Sequence, residues 1–442
     1  MNRTAVIGAG WAGLAAASAL RDAGDEVYVF EASHTPGGRA RRVDATEWPA
    51  PLDNGQHILL GAYTECLALM RRLGRDPERL LMRRPLHIER TDGSFRLHAP
   101  RLPAPLHAAW ALARAQGLGW AARWAAVRMM RALARQRWAA PAELSVAALL
   151  RLHAQPEAVV AMLWEPLCLA ALNTPVVQAS AQLFVRVLGD ALGGKRRYSD
   201  LLLPRCDLSE LWPDAAAARC KMRYGVTVRT LTPLRPGAGP AFDVGGERFD
   251  AVVVATPPAV AQRLLQPYAI TPDEQALCLS LTRFSYSPIA TLNLRLAAPW
   301  RLPQPMMMLA EDAARGHDGQ WVFDRAALAG RDDYGELAIV VSAAERLLDR
   351  DREQTAQALI EQLRQQCGRL APMPAVRDSL LYVDKRATFE ALPDMPRPSN
   401  RTPWPGLVLA GDWTDTGYPG VLEGAVRSGA QAARQLIEAR GS

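Results

Sequence analysis

Residues 5–31, AVIGAGWAGLAAASALRDAGDEVYVFE, decide the fold. Ala5-Val6-Ile7 reads as a short apolar strand, Gly8, Gly10 and Gly13 fit GxGxxG, and Leu14 to Leu20 is a good helix sequence. Gly24 closes that helix, and Val27-Tyr28-Val29-Phe30 makes a second strand ending at Glu31. Each position has a physical task. Gly8 permits a tight turn, Gly10 lets a pyrophosphate approach the backbone, and Gly13 lets helix pack closely on strand. The free amides at the helix start, with the positive end of its dipole, favour phosphate charge. Glu31 is placed to accept hydrogen bonds from ribose hydroxyls, and an acid there disfavours a 2′-phosphate. A lone GxGxxG is a weak signal, but strand, helix, strand and acid in register are a strong one.

Working outward, Pro36-Gly37-Gly38-Arg39 follows directly after Glu31, where a simple NAD domain would run into another crossover helix. A Gly-Gly-Arg at this place resembles the flavoprotein extension, in which Arg39 faces the pyrophosphate; alone, it would read as an ordinary turn. At the other end of the chain, the strand Leu407 to Ala410 leads into Gly411-Asp412-Trp413, then Gly417-Tyr418-Pro419-Gly420-Val421-Leu422-Glu423, with a helix from Val426 to about Ala439. A carboxylate just after a strand can bind the ribityl hydroxyls of FAD, and the amides at Gly420, Val421 and Leu422 can face the flavin pyrimidine. Taken alone, Asp412 is equally a helix N-cap. In the middle, Tyr224 to Val228 reads as a strand leading to Leu234, and Phe249 to Ala255 as a buried strand ending at Thr256-Pro257-Pro258.

Together these stretches resemble the FAD-dependent amine oxidase and phytoene desaturase superfamily. Within it the chain is most similar to the squalene-associated, desaturase-like group, the hydroxysqualene dehydroxylases. That narrower likeness rests on Asp53-Asn54-Gly55-Gln56-His57-Ile58-Leu59-Leu60-Gly61, Leu172-Asn173-Thr174-Pro175, Ala179-Ser180-Ala181 with Phe184, Arg386-Ala387-Thr388-Phe389, Ala410 to Trp413 and Gly417 to Pro419. The resemblance implies an α/β fold, a Rossmann-like FAD-binding domain assembled from separated segments with an inserted mixed α+β substrate domain. It also implies an FAD enzyme that reductively removes a hydroxyl from hydroxysqualene, an isoprenoid hydrocarbon, to give squalene. Under it, Gly55, Gln56, His57 and Ile58 line the flavin, and Leu234 presents its backbone to the adenine.

Losing hydroxide outright is unfavourable, so such a site needs a proton donor for the leaving oxygen. His57 is the candidate, because imidazole titrates near neutrality, with Asp53 to orient or charge it. The alternative is a structural histidine bonding the FAD or the backbone. Tyr418 and Trp413 can present π-faces to a cation or simply pack. No HExxH pattern or CxxC pair occurs, so no metal is expected. Two rival functions share the scaffold: an isoprenoid (phytoene-type) desaturase or amine oxidase, and a flavin-bearing lipid-binding scaffold without turnover.

The remaining composition sets bounds. The 442 residues are 49% hydrophobic and 22% charged, which excludes wholesale disorder and suggests two or three lobes. Expected segments are 1–65, 204–260 and 375–442 for the FAD domain, with 66–203, mainly helical, and 261–374 for the substrate domain. The net charge is +7, and only Lys195, Lys221 and Lys385 are lysines, a bias that by itself assigns no binding patch. Residues 102–138 concentrate Arg, Ala and Trp; at helical spacing Arg128, Arg131 and Arg135 share a face with Trp124, opposite Ala125, Met129, Met130 and Leu133. That suits either an anionic membrane surface or a solvated lid. No charged, apolar leader opens the sequence, and the uncharged run Pro166–Val185 contains Pro, Asn and Gln, so a cytoplasmic protein, peripheral at most at the inner membrane face, is expected. Squalene-pathway enzymes are the expected protein partners, and nucleic acid is not expected.

Overall fold

The strand Arg3–Ile7 is the middle of a five-stranded parallel sheet in the computed structural model, which describes residues 2–43, 48, 51–234 and 241–440. Across the sheet the order is Lys221–Tyr224, Glu26–Glu31, Arg3–Ile7, Ala251–Val254 and Leu407–Leu409, every neighbouring pair parallel. Parallel strands covered on both faces must be apolar throughout, and Ala5, Val6, Val29, Val252, Val253 and Val254 are fully buried. Helices Trp11–Asp22 and Leu422–Glu438 cover one face, joined by Leu14, Leu20, Val426, Ala433 and Leu436. The other face carries the antiparallel meander of Leu231–Pro233, Phe242–Val244 and Glu247–Phe249, together with helices Pro258–Leu265 and Pro272–Ser280. One nucleotide-type domain is thus built from three separated stretches.

A second, antiparallel sheet has the order Met306–Met308, Trp321–Asp324, Gly335–Ser342, Tyr286–Leu296, Val376–Phe389. Period-two alternation gives it two different faces. Val322, Ile339 and Val341 pack under the helix Arg352–Gln366, while Trp321, Phe323, Ala338 and Val340 turn towards the helical insert. That insert is mainly helical, with Leu106–Ala113, Trp120–Arg135, Val146–Leu152, Glu165–Leu172 and Ala181–Leu192. No helix among the described residues is long and apolar enough to cross a membrane.

The packing moves the expected segment boundaries. Val376–Phe389 pairs with Tyr286–Leu296 almost end to end, so the third nucleotide-domain segment starts after Phe389 and not at 375. Ala261, Leu264, Leu265, Cys278 and Leu281 share a core with Ile7 and Val254, which carries the second segment past 260 to about 283. Cys66, Leu67, Leu69 and Met70 join the core around Leu14, so the first segment runs past 65. The strand expected over Tyr224–Val228 ends at Tyr224, because Gly225 turns the chain with φ +70°.

Candidate functional site

One continuous cavity of about 530 Å³ runs between the two sheets. At one end are the glycines of the opening motif. Gly8 adopts φ +106°, and a Cβ there would lie 2.5 Å from the Ala255 carbonyl oxygen, so the turn excludes any other residue. A Cβ on Gly13 would collide with the Gly8 carbonyl and stand 3.0 Å from Ala255 Cβ, which is close strand–helix packing. Gly10 differs: it lines the cavity, and a Cβ would meet nothing nearer than Gly38 Cα at 3.9 Å. The helix Trp11–Asp22 begins there without a side-chain cap, leaving its first amides to whatever fills the cavity. Glu31 closes this corner. Its Oε2 accepts from Ala9 N and its Oε1 from Ser33 N, both at 2.8 Å, so the acid braces the glycine loop while it lines the cavity.

Gly38, with φ +64°, abuts Gly10 and brings Arg39 to the cavity wall. Arg39 and Asp412, read separately in the sequence, are bonded to each other: Nη2 donates to Asp412 Oδ1 at 2.5 Å, and Nη1 to the Ala387 carbonyl at 3.0 Å. Buried hydroxyls hold the Gly411 backbone next to Asp412 in place. Ser428 Oγ accepts from Gly411 N at 2.9 Å and contacts Thr414 Oγ1 at 2.7 Å. Gly411, Asp412, Gly420, Val421 and Leu422 all line the cavity, where the helix Leu422–Glu438 starts, again with no side-chain cap. Two uncapped helix N-termini, from opposite ends of the chain, converge on one cavity.

Gly55, Gln56, His57 and Ile58 also line it. Gln56 Nε2 is buried with no partner among the described residues, as is Thr291 Oγ1, which stands 3.9 Å from where a Gly55 Cβ would be. The Gln56 amide, a donor left over in the cavity wall, fits a polar ligand, and with the open approach at Gly10 it matches a long dinucleotide. His57 Nδ1 lies 3.2 Å from the Gly55 carbonyl. Burial holds its pKa below that of a free imidazole; the Gly55 carbonyl and Asp384 oppose that shift, and Arg39 adds to it. Neutral His57 donating from Nδ1 leaves Nε2 as an acceptor, so only its protonated form is an acid.

Two expectations fail. Asp53 neither lines the cavity nor partners His57: its Oδ1 accepts from Leu208 N at 2.8 Å, on the side of the nucleotide-domain core. Burial lifts its pKa to about 7, opposed by Arg325 and the Leu208 N–H. The carboxylate near His57 is instead Asp384, which with Tyr382 faces the cavity from alternate positions of one strand. Leu234 is also displaced, its N–H bonding the Ala241 carbonyl at 2.8 Å at the end of the meander. Val226, Thr227 and Val228 take the place beside Glu31 on the cavity wall. The signal for them was present in the turn after Tyr224, which puts the chain back over the carboxyl end of the sheet. Tyr418 does not face the cavity either. Its hydroxyl donates to Asp190, and its ring lies under Arg186 and Arg427, with centroid distances of 4.8 and 5.1 Å. Trp413 reaches the wall but is fixed by its indole N–H to the Thr256 carbonyl at 3.1 Å.

Beyond His57 the wall turns apolar, with Leu169, Leu172, Ile289, Trp321, Phe323 and Val340. Asn173 locks this end. It has φ +48°, its Nδ2 donates to the Ser287 carbonyl at 3.1 Å and to Thr388 Oγ1 at 3.0 Å, and its Oδ1 accepts from Ala343 N at 2.7 Å. The distant stretches Leu172–Pro175 and Arg386–Phe389 meet in that bond. None of the six cysteines lines the cavity, and no cluster of His, Cys, Asp or Glu among the described residues could hold a metal ion.

Comparison with known proteins agrees with this geometry. Residues 11–437 match the model of the flavin containing amine oxidoreductase family. The chain is 31% identical to a hydroxysqualene dehydroxylase of Rhodopseudomonas palustris over 99% of both sequences. It is 27% identical to a hydroxysqualene dehydroxylase of Zymomonas mobilis over 98% of both. Among solved structures it is similar to cyclohexylamine oxidase from Brevibacterium oxydans, with a TM-score of 0.70, 18% identity and all of each chain covered, a likeness of fold.

Proposed function

The chain belongs to the flavin containing amine oxidoreductase family, and from that premise we propose that it reductively removes the hydroxyl of hydroxysqualene to give squalene. It is an FAD-dependent oxidoreductase. The observation that carries the finer reading is a single cavity with dinucleotide features at one end and an apolar wall at the other. Full-length similarity to two proteins of that activity supports it.

The residues divide the work. Gly10, the two open helix N-termini, Glu31 and the Arg39–Asp412 pair hold FAD. When reduced, FAD supplies a hydride. The balance is hydroxysqualene and reduced FAD to squalene, water and oxidised FAD: a C–O bond breaks, a C–H bond forms, and the departing oxygen takes up a proton. Trp321, Phe323, Ile289 and Val340 hold the hydrocarbon and exclude water, which strengthens every charge interaction at the reacting carbon. His57, in its protonated form, gives the proton to the leaving oxygen, and Asp384 favours that form. Asn173 and Thr388 hold the wall between flavin and hydrocarbon in shape. The product would enter squalene and hopanoid formation.

Anaerobic incubation of the holoenzyme, chemically reduced, with hydroxysqualene tests this by product mass analysis. Squalene is the expected product. Unchanged hydroxysqualene with FAD fully bound would sink the reading, and oxidation of phytoene or of an amine instead would reassign the site within the family.

A further inference from the structure

The charge of the chain is not spread evenly. Residues 93–142 hold eight arginines and no Asp or Glu, one positive charge more than the net +7 of the whole chain, so everything else sums to −1. Arg101, Arg114, Arg128, Arg131, Arg135 and Arg137 within that stretch are exposed and have no carboxylate partner among the described residues. Elsewhere most arginines are paired, as Arg39, Arg42 and Arg83 are.

The same stretch exposes large apolar side chains. Leu106 is 59% exposed, Trp110 52%, Trp120 67% and Trp124 44%, with Leu102 beside them at 37%. Leu106 and Trp110 are one turn apart on the helix Leu106–Ala113, whose Ala108, Ala111 and Leu112 face inward. On Trp120–Arg135 the outward stripe is Trp120, Trp124, Arg128, Arg131 and Arg135, while Ala122, Ala126, Met129 and Leu133 are buried. A solvated helix face would intersperse acids with these bases and would not present indoles. Trp120 and Trp124 meet edge to face at 5.5 Å, and the Arg114 guanidinium lies 5.7 Å from the Trp110 ring centroid. Indoles, leucines and unpaired guanidiniums on one face match the headgroup boundary of a bilayer, which takes apolar groups a few ångströms deep and phosphates above them. Exposed aliphatics argue against a single-stranded nucleic acid, which would use the rings and the charges but not Leu102 and Leu106. The buried side of these helices is continuous with the core that includes Trp321, Phe323 and Val340, the apolar wall of the cavity.

We propose that residues 102–135 form a docking surface for an anionic lipid bilayer, with Leu106, Trp110, Trp120 and Trp124 inserted at the interface and Arg128, Arg131 and Arg135 on lipid phosphates. The inference rests on surface chemistry alone and holds whatever the substrate. Co-sedimentation of the holoenzyme with vesicles of phosphatidylglycerol in phosphatidylcholine, and of phosphatidylcholine alone, tests it. Binding to the anionic vesicles, weakened by salt, is expected. Each interfacial arginine is worth about fivefold, so Arg128→Glu/Arg131→Glu/Arg135→Glu should bind more than about a hundredfold more weakly. Trp110→Ser/Trp120→Ser/Trp124→Ser should lose binding and the quenching of tryptophan fluorescence by brominated phosphatidylglycerol that the unaltered protein shows. Both variants should keep bound FAD and turnover of detergent-dispersed substrate. No binding of the unaltered protein to anionic vesicles at low salt, equal binding by the variants, absence of quenching, or retention by RNA or a protein partner with no vesicle binding would each overturn the proposal.

Discussion

The two glycines at 10 and 13 should fail in opposite ways when changed to alanine. Gly10 sits at φ −71° and ψ 175°, a conformation any residue adopts, and its added Cβ would have 3.9 Å of clearance. Reduced freedom of the unfolded chain favours alanine there by about 0.4–1 kcal/mol, and the poorer N-cap costs a similar amount. The apoprotein of Gly10→Ala should therefore keep its stability to within about 1 kcal/mol. FAD binding should suffer, because the new methyl would stand where, on the proposed binding mode, the diphosphate reaches the helix amides. Loss of one charge-assisted hydrogen bond, about 1.5–3 kcal/mol, is roughly 10–100-fold in Kd. At Gly13 the methyl would enter the Gly8 carbonyl and press on Ala255 Cβ at 3.0 Å, so strand and helix must separate. Gly13→Ala should lose about 3 kcal/mol or more of stability before any cofactor is added. Denaturant titration of both apoproteins, followed by flavin-fluorescence titration, measures the two effects separately. Unaltered FAD affinity in Gly10→Ala, or a folding defect there equal to that of Gly13→Ala, would refute the division between an open cradle and a packed contact.

Glu31→Ala should weaken FAD binding by about 1.5–3 kcal/mol, since the brace on Ala9 N is lost together with the proposed ribose contact, and isothermal titration reads it directly. His57→Gln should leave FAD bound and slow hydroxyl loss by about 10²–10⁴-fold at saturating cofactor; if FAD binding falls and the rate recovers with added cofactor, His57 is a scaffold. With His57 as the acid, turnover should fall as pH rises through a value below that of free imidazole, because burial lowers its pKa. Asp53 works the other way round from most carboxylates: burial raises its folded pKa to about 7, so the folded state holds the extra proton and stability falls as pH rises from the ordinary carboxylate range to about 7. Asp53→Asn keeps the acceptor for Leu208 N–H and should flatten that slope by a few kcal/mol at most, as seen in denaturant melts at several pH values.

How much of this was legible in the sequence depended on whether a signal was local. The βαβ unit was, because Gly8, Gly13 and Glu31 lie in one continuous strand–helix–strand stretch, and so was the helix start after Gly10; the last helix, expected from Val426, begins a turn earlier, at Leu422. The partnership of Arg39 with Asp412 was not, since 373 positions separate the two residues. The same holds for Asn173 with Thr388, where each motif is visible but only the fold brings them into one hydrogen bond. Asp53 was misplaced because the short strand Leu52–Asp53 ends there and the chain bends before His57, so nearness in sequence does not bring the two side chains together. Leu234 was misplaced because the turn at Gly225 directs Val226–Val228, and not the later meander, over Glu31. The strand Val376–Phe389 carries too little period-two contrast to declare its sheet; its long pairing with Tyr286–Leu296 decides that.

The most direct test of the central claim is one anaerobic turnover of the reduced holoenzyme with hydroxysqualene in D2O, read by mass spectrometry of the product. The transferable hydrogen of a reduced flavin exchanges with solvent, so hydride delivery to the carbon that loses oxygen should yield squalene carrying one deuterium at that carbon, with one FAD oxidised per squalene formed. Recovery of intact hydroxysqualene from an enzyme saturated with reduced FAD, or squalene without the label at that carbon, would contradict the account.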